Sequence, residues 1–275
     1  MDIQRLAAFT KDGQGGNPAG VVIGDQMPDA EQMQRVAAEV GYSETAFAAR
    51  QGEAFRVRYF APQAEVPFCG HATIALGAAL GAAFGAGSYP LVLNEAEISV
   101  RAFQEGDAWG AELTSPPTSH QALTPDVLTR ALEVFGIAQS GLDKDVGPAR
   151  INGGASHLLI PVATHKLLQD MSYDFDTGAA FMQDEQLVTV NLIWRESPAR
   201  IYSRNPFAGH GVYEDPATGA AAAALAGYLR DAGIQDTPFE VIQGVEMGRP
   251  SRLGITPRDG QGAPIEIAGL TAPVG

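Results

Sequence analysis

Cys69-Gly70-His71-Ala72-Thr73-Ile74-Ala75-Leu76-Gly77-Ala78-Ala79-Leu80 can be laid on Glu214-Asp215-Pro216-Ala217-Thr218-Gly219-Ala220-Ala221-Ala222-Ala223-Ala224-Leu225 at a constant offset of 145 residues. In both, a turn feeds Ala-Thr and then a run of small apolar residues. Residues 72–83 and 217–229 are almost entirely Ala, Gly, Leu and Ile, so a helix over either is apolar all round and must be buried. Each is too short to span a bilayer. Small side chains let a surrounding sheet come close. The pattern predicts an internal duplication: two halves, each a sheet curled around one central helix.

The flanking sequence fits two α+β halves. Ile3–Phe9 and Gly20–Ile23 alternate like strands on either side of the turn Gly15-Gly16-Asn17-Pro18. Residues 28–41 read as a helix capped by Asp29 and ended by Gly41, with Met33, Val36, Ala37 and Val40 as its apolar stripe. Strands are expected over 42–48, 55–60, 89–103 and 108–113, around a helix at 70–84. Thr114-Ser115-Pro116-Pro117-Thr118-Ser119 reads as a linker. A helix over 124–135, strands over 156–163, 187–195 and 199–204, a helix over 216–231 and strands near 239–243, 252–257 and 264–267 follow. The expected domains are 1–116 and 117–275. The order is not a regular β–α alternation and holds no G-x-G-x-x-G after a strand, which argues against a Rossmann sheet.

Composition narrows the function. The chain has 275 residues, of which 45% are hydrophobic and 18% charged, an ordinary globular balance. With 32 acidic against 18 basic residues and a net charge of −14, it lacks the clustered Lys and Arg that nucleic acid requires. Its single cysteine, Cys69, excludes an intrachain disulfide and a cysteine-cluster zinc or iron–sulfur site, and fits a reducing compartment. The first residues lack the plan of a signal peptide, so a cytoplasmic protein without a membrane partner is expected.

Two buried helices present two N-termini with unpaired N–H groups, which together suit a small anion such as a carboxylate. His71 and Asp215 fall at their mouths. Either has a plain structural use: His71 as a hydrogen-bonding ring, Asp215 as an N-cap ahead of Pro216. Glu44 lies in Tyr42-Ser43-Glu44-Thr45-Ala46-Phe47, with no other charge nearby. It is either a strand residue facing water or a partly desolvated carboxyl suited to proton transfer. No G-x-S-x-G or P-loop lysine is present, and His210 with Glu214 is too thin a set for a metal.

Five strings in order, Gly16-Asn17-Pro18-Ala19-Gly20-Val21, Ser43-Glu44-Thr45-Ala46-Phe47, Arg58-Tyr59-Phe60-Ala61-Pro62 with Glu65-Val66, Cys69-Gly70-His71-Ala72-Thr73 and Glu214-Asp215-Pro216-Ala217-Thr218-Gly219, resemble the PhzF family of phenazine-biosynthesis isomerases. The resemblance covers nearly the whole chain. It implies the diaminopimelate-epimerase-like fold, two similar domains each with a mixed β-sheet rolled as a barrel around a central α-helix, and a site in the cleft between them. It further implies a homodimer without cofactor or metal. By similarity Glu44 is the acid/base that moves a proton within a cyclic dienyl amino acid, and His71 and Asp215 bind and polarise the substrate. The amides near Gly70 and those of Gly219 and Ala220 would hold its carboxylate, and Asn17 and Ser43 would line the same substrate. The family's phenazine enzyme isomerises 2,3-dihydro-3-hydroxyanthranilate. Ala220 stands where that enzyme has Ser, so a hydroxyl donor is absent while the backbone N–H remains. The stretch Arg204-Asn205-Pro206-Phe207-Ala208-Gly209 also departs from the family pattern. The alternatives are an amino-acid epimerase or racemase on the same scaffold, and a non-catalytic ligand-binding member. The related two-cysteine epimerases use one Cys from each half, and here the counterpart of Cys69 is Glu214.

Overall fold

The computed structural model of the protein describes residues 1–274. The chain divides into two units, Met1–Thr114 with the residues from Ala268 on, and Ser115–Ile267. The C-terminal residues therefore return to the first unit, where the sequence placed them in the second. The division also falls at 114/115, slightly ahead of the 116/117 boundary expected from the Pro-Pro pair.

The first unit contains β1 Gln4–Ala8, β2 Asn17–Gly24, α1 Ala30–Val40, β3 Thr45–Gln51, β4 Ala54–Phe60, β5 Glu65–Val66, α2 Gly70–Phe84, β6 Gly87–Val92, β7 Glu97–Glu105 and β8 Ala108–Thr114. The last strand of the chain, β17 Ile265–Pro273, completes it from Ala268 on. Following the ladders, β1 pairs with β2, β2 with β3 (parallel), β3 with β4, β4 with β6 (parallel), β6 with β7 and β7 with β8. Strand β17 then joins β8 to β1 and closes an eight-stranded barrel. Closure leaves no free edge. The single strand expected over 89–103 is the hairpin β6–β7.

Helix α2 fills the barrel. Every residue from Ala72 to Gly81 is buried, and the small residues are the reason the sheet can close. A Cβ at Gly77 would lie 2.5 Å from Val100 and 2.7 Å from Ala111, and one at Gly81 would lie 2.6 Å from Trp109. Helix α1 covers the outside of the sheet through Met33 and Ala37. It is capped as expected: Asp29 accepts from the Gln32 N–H at 2.8 Å, and Gly41 takes the left-handed conformation.

The second unit contains β9 Ser119–Ala122, α3 Pro125–Val134, β10 Ala149–Asn152, β11 Ser156–Pro161, α4 His165–Gln169, α5 Phe175–Asp184, β12 Thr189–Ser197, β13 Arg200–Phe207, β14 Val212–Asp215, α6 Gly219–Asp231, β15 Phe239–Gln243 and β16 Ser251–Pro257. Its sheet runs β9–β10–β11–β12–β13–β15–β16, with the β11–β12 and β13–β15 pairs parallel. It curls around α6. The backbone N–H groups of Ser115 and Thr118 donate to the carbonyls of Ile265 and Gly262. Helices α3 and α5 pack on the outer face through Leu132, Phe135, Phe181 and Met182, against Leu158, Ile160, Val190 and Leu192 of β11 and β12. Helices α4 and α5 were not read from the sequence. No helix of the described residues is long and apolar enough to cross a membrane.

Candidate active site

The first unit gathers six of the named residues around the start of α2. Gly16 makes the turn that delivers Asn17 to β2. Its φ is +76°, and a Cβ there would lie 2.6 Å from the Ala8 carbonyl oxygen, so only glycine fits. Ser43 and Glu44 precede β3, which begins at Thr45. The expected strand over 42–48 therefore starts late, and Glu44 sits in the approach to it, its carbonyl accepting from the Gly20 N–H at 3.1 Å. Helix α2 begins at Gly70, as read, with Cys69 as an N-cap that makes no side-chain cap bond. The N–H groups of Gly70, His71 and Ala72 have no partner within the helix and carry its positive end.

Around that end the side chains converge. Glu44 Oε2 lies 3.4 Å from His71 Nε2 and 3.4 Å from Cys69 Sγ. Cys69 Sγ lies 3.4 Å from His71 Nδ1 and 3.8 Å from Nε2. Asn17 Nδ2 is 3.4 Å from His71 Nδ1, and Ser43 Oγ is 3.3 Å from Nε2. Only 10% of the His71 side chain and 21% of that of Glu44 is exposed. Burial pushes the His71 imidazole below its usual range, against the pull of Glu44 and a bond to the Pro18 backbone, so the ring is neutral at pH 7.

Behind the mouth, Thr73 pins the first turn. Its buried hydroxyl donates to the Cys69 carbonyl at 2.7 Å and accepts from Tyr59 at 2.7 Å. Burial holds the Tyr59 phenol well above its usual range, so it stays protonated and donates. Phe68, half exposed, packs edge-on to Tyr59 with ring centroids 6.0 Å apart. Thr73 and Tyr59 were not singled out from the sequence.

The second unit gathers Asp215, Gly219 and Ala220. The helix expected from 216 starts three residues later, at Gly219, with Thr218 as N-cap. Asp215 is therefore not the N-cap and Pro216 is not the first helical residue. The cause is Gln243 on β15, far away in sequence. Its Oε1 accepts from the Thr218 N–H at 3.1 Å, and its Nε2 donates to the Asp215 carbonyl at 2.7 Å and to Thr218 Oγ1 at 3.0 Å. These bonds hold 215–218 extended. The Asp215 carboxylate accepts from the Thr218 hydroxyl at 2.5 Å.

Glu214, the counterpart of Cys69, is buried and bound at both oxygens by Arg204, at 2.6 and 3.0 Å. Arg204 also donates to the carbonyls of Leu168, Gln169 and Met171. Sequence reading also missed a buried polar chain from His157 through Thr189, Asn205 and Ser203 to Asn191. Burial lowers the His157 pKa to about 3, so it is neutral. The available signal was polar residues set inside apolar strand runs.

The architecture, a closed barrel around one helix and a curled sheet around another, is that of the diaminopimelate-epimerase-like proteins. The model for the phenazine biosynthesis-like proteins, PhzC-PhzF, matches residues 6–274, and the chain belongs to that family. An uncharacterized isomerase of Deinococcus radiodurans is 31% identical, with 91% of this chain and 84% of the relative covered. Trans-2,3-dihydro-3-hydroxyanthranilate isomerase of Pseudomonas fluorescens is 32% identical, covering 86% of this chain and 84% of the relative. A PhzF-family phenazine biosynthesis protein of Bacillus anthracis superposes with a TM-score of 0.86 at 22% identity, covering 100% of this chain and 98% of the other. The chain is thus an isomerase of the PhzF type.

Proposed function

We propose that this isomerase moves a proton within a small unsaturated, carboxylate-bearing substrate of the 2,3-dihydro-3-hydroxyanthranilate kind, with Glu44 as the acid/base and no cofactor. The observation that carries the reading is the placement of Glu44 Oε2, 3.4 Å from a neutral, nearly buried His71 at the positive end of α2. One carboxyl over one face of a conjugated system can take a proton from one carbon and return it to another. Charge that builds on the substrate meets the α2 amides, and the His71 ring steadies it. Asp215 and the first amides of α6 are assigned to substrate binding because they match the family string. Where that string carries Ser in the phenazine enzyme, Ala220 offers only its N–H, so the substrate here need not present a group for that hydroxyl.

The test uses trans-2,3-dihydro-3-hydroxyanthranilate in deuterated water, with product and recovered substrate read by mass spectrometry. Glu44→Gln is expected to lose deuterium incorporation by at least about 100-fold, the usual scale of general acid–base catalysis, with binding retained. Incorporation at the wild-type rate would remove Glu44 from the mechanism. A two-cysteine epimerisation has no support at the second unit, because Glu214 is locked to Arg204.

A further inference from the structure

Glu44, Cys69 and His71 are more than a proton-transfer cluster. Their ligand atoms all lie within 4.8 Å of one another. The triangle formed by Glu44 Oε2, Cys69 Sγ and His71 Nε2 has sides of 3.4, 3.8 and 3.4 Å. A tetrahedral zinc ion with ordinary bond lengths sets its S···N and S···O ligand spacings at about 3.5 Å and its N···O spacing at about 3.3 Å. The side chains thus already stand close to one face of a zinc tetrahedron. The two sulfur contacts are also ordinary lengths for hydrogen bonds to a thiol, whereas the Glu44–His71 side is long for an N–H···O bond, which favours about 2.9 Å. His71 also meets the demand for an outer partner that orients a metal-bound imidazole: its ring bonds the Pro18 backbone, and Asn17 lies against Nδ1. The positive end of α2 would repel a bare cation, but a thiolate and a carboxylate bring two negative charges to the same point.

We propose that Glu44, Cys69 and His71 bind a thiophilic divalent cation, zinc above all, as an inhibitory ligand and not as a resident cofactor. Three protein ligands leave the fourth position to water. On binding, the Cys69 S–H bond breaks, its proton passes to buffer and a Zn–S bond forms. Glu44 coordinates as a carboxylate and His71 as neutral imidazole, and nothing is oxidised or reduced. Metal binding does not depend on the proposed function. Its consequence does: a metal on Glu44 Oε2 occupies the atom assigned to carry the proton, so turnover stops.

Full-length protein titrated with Co²⁺ reads the site directly. The wild type should take up one cobalt per chain with tetrahedral visible bands and a thiolate-to-cobalt charge-transfer band, and Zn²⁺ should displace both. Cys69→Ser should lose the charge-transfer band, and His71→Asn should weaken binding by at least about tenfold, the least expected even for an outer partner. Circular dichroism checks that each variant is folded, and Zn²⁺ should raise the melting temperature of the wild type only. A folded wild type without the charge-transfer band, or a His71→Asn that titrates like the wild type, overturns the site. If the bands appear as expected but saturating Zn²⁺ leaves deuterium incorporation untouched, the metal site stands and the role given to Glu44 fails.

Discussion

At the entrance of α2, Thr73 lies inside the first helical turn and its hydroxyl donates back to the Cys69 carbonyl. At the entrance of α6 the matching Thr218 is still outside the helix, its hydroxyl turned onto Asp215 and its N–H taken by Gln243. The strings that precede the two threonines align residue for residue, yet one is helical and the other extended. The residue before each turn diverges as well. Cys69 lies 3.4 Å from both Glu44 and His71, whereas Glu214 is buried and bound at both oxygens by Arg204. One entrance sets its ionisable groups in contacts of 3.4 Å and more. The other ties its nearest charge into a fixed pair. The two aligned strings thus end in one entrance held by long side-chain contacts and one held by a fixed ion pair.

Breaking that contrast should give its largest effect on stability at the α6 entrance. Glu214→Gln leaves the Arg204 charge buried and half-partnered, and loss of one member of such a pair costs about 3–5 kcal/mol. Glu44→Gln, at a contact that is partly open to solvent, should cost far less stability. Urea unfolding of the two variants side by side measures the contrast. Equal losses would mean that Glu44 is as structural as Glu214.

The walls around the two helices sharpen the comparison. At the constant offset, Gly77 and Gly81 of α2 correspond to Ala222 and Ala226 of α6. The closed barrel leaves no room for a methyl at Gly77, where Val100 and Ala111 stand at 2.5 and 2.7 Å, but the second unit buries both alanines. Gly77→Ala should therefore destabilise by about 1–3 kcal/mol from overpacking, more than the gain of up to about 1 kcal/mol from helix propensity. Ala222→Gly should also destabilise, by about 1 kcal/mol. Thermal unfolding gives both values, and a stabilised Gly77→Ala would show that the barrel yields.

What the sequence made legible follows from how local each cause is. The all-apolar run around Gly77 marks α2 as central from composition alone, and its limits at 70 and 84 are set by its own residues. Asp29 and Gly41 bracket α1 for the same reason. The start of α6 was misplaced because Gln243, a residue 25 positions from Thr218, decides it. The return of β17 to the first unit is a matter of barrel closure, which no local signal carries. At the site, Glu44 stands out as a lone carboxyl in an apolar run and His71 by its place at the mouth of a central helix, while Cys69 reads as a compartment clue and as half of an incomplete two-cysteine pair. Its contact with Glu44, 25 positions away in sequence, exists only once β3 and α2 are packed together.

The two threonines separate these entrances by the smallest expected difference. Thr218→Val removes a hydroxyl that donates to the Asp215 carboxylate and accepts from Gln243 Nε2, and that Nε2 keeps its bond to the Asp215 carbonyl, so about 1 kcal/mol should be lost. Thr73→Val removes the acceptor of Tyr59, which is 1% exposed. A buried hydroxyl left without a partner costs about 1–3 kcal/mol, so Thr73→Val should exceed Thr218→Val by about 1 kcal/mol. Combining Thr73→Val with Tyr59→Phe takes away both partners and should recover most of that excess, because no orphaned hydroxyl remains. Chemical unfolding of the three variants decides it. If the double variant is no more stable than Thr73→Val alone, then the Thr73 bond to the Cys69 carbonyl, and not the Tyr59 pairing, holds the α2 entrance in its helical form.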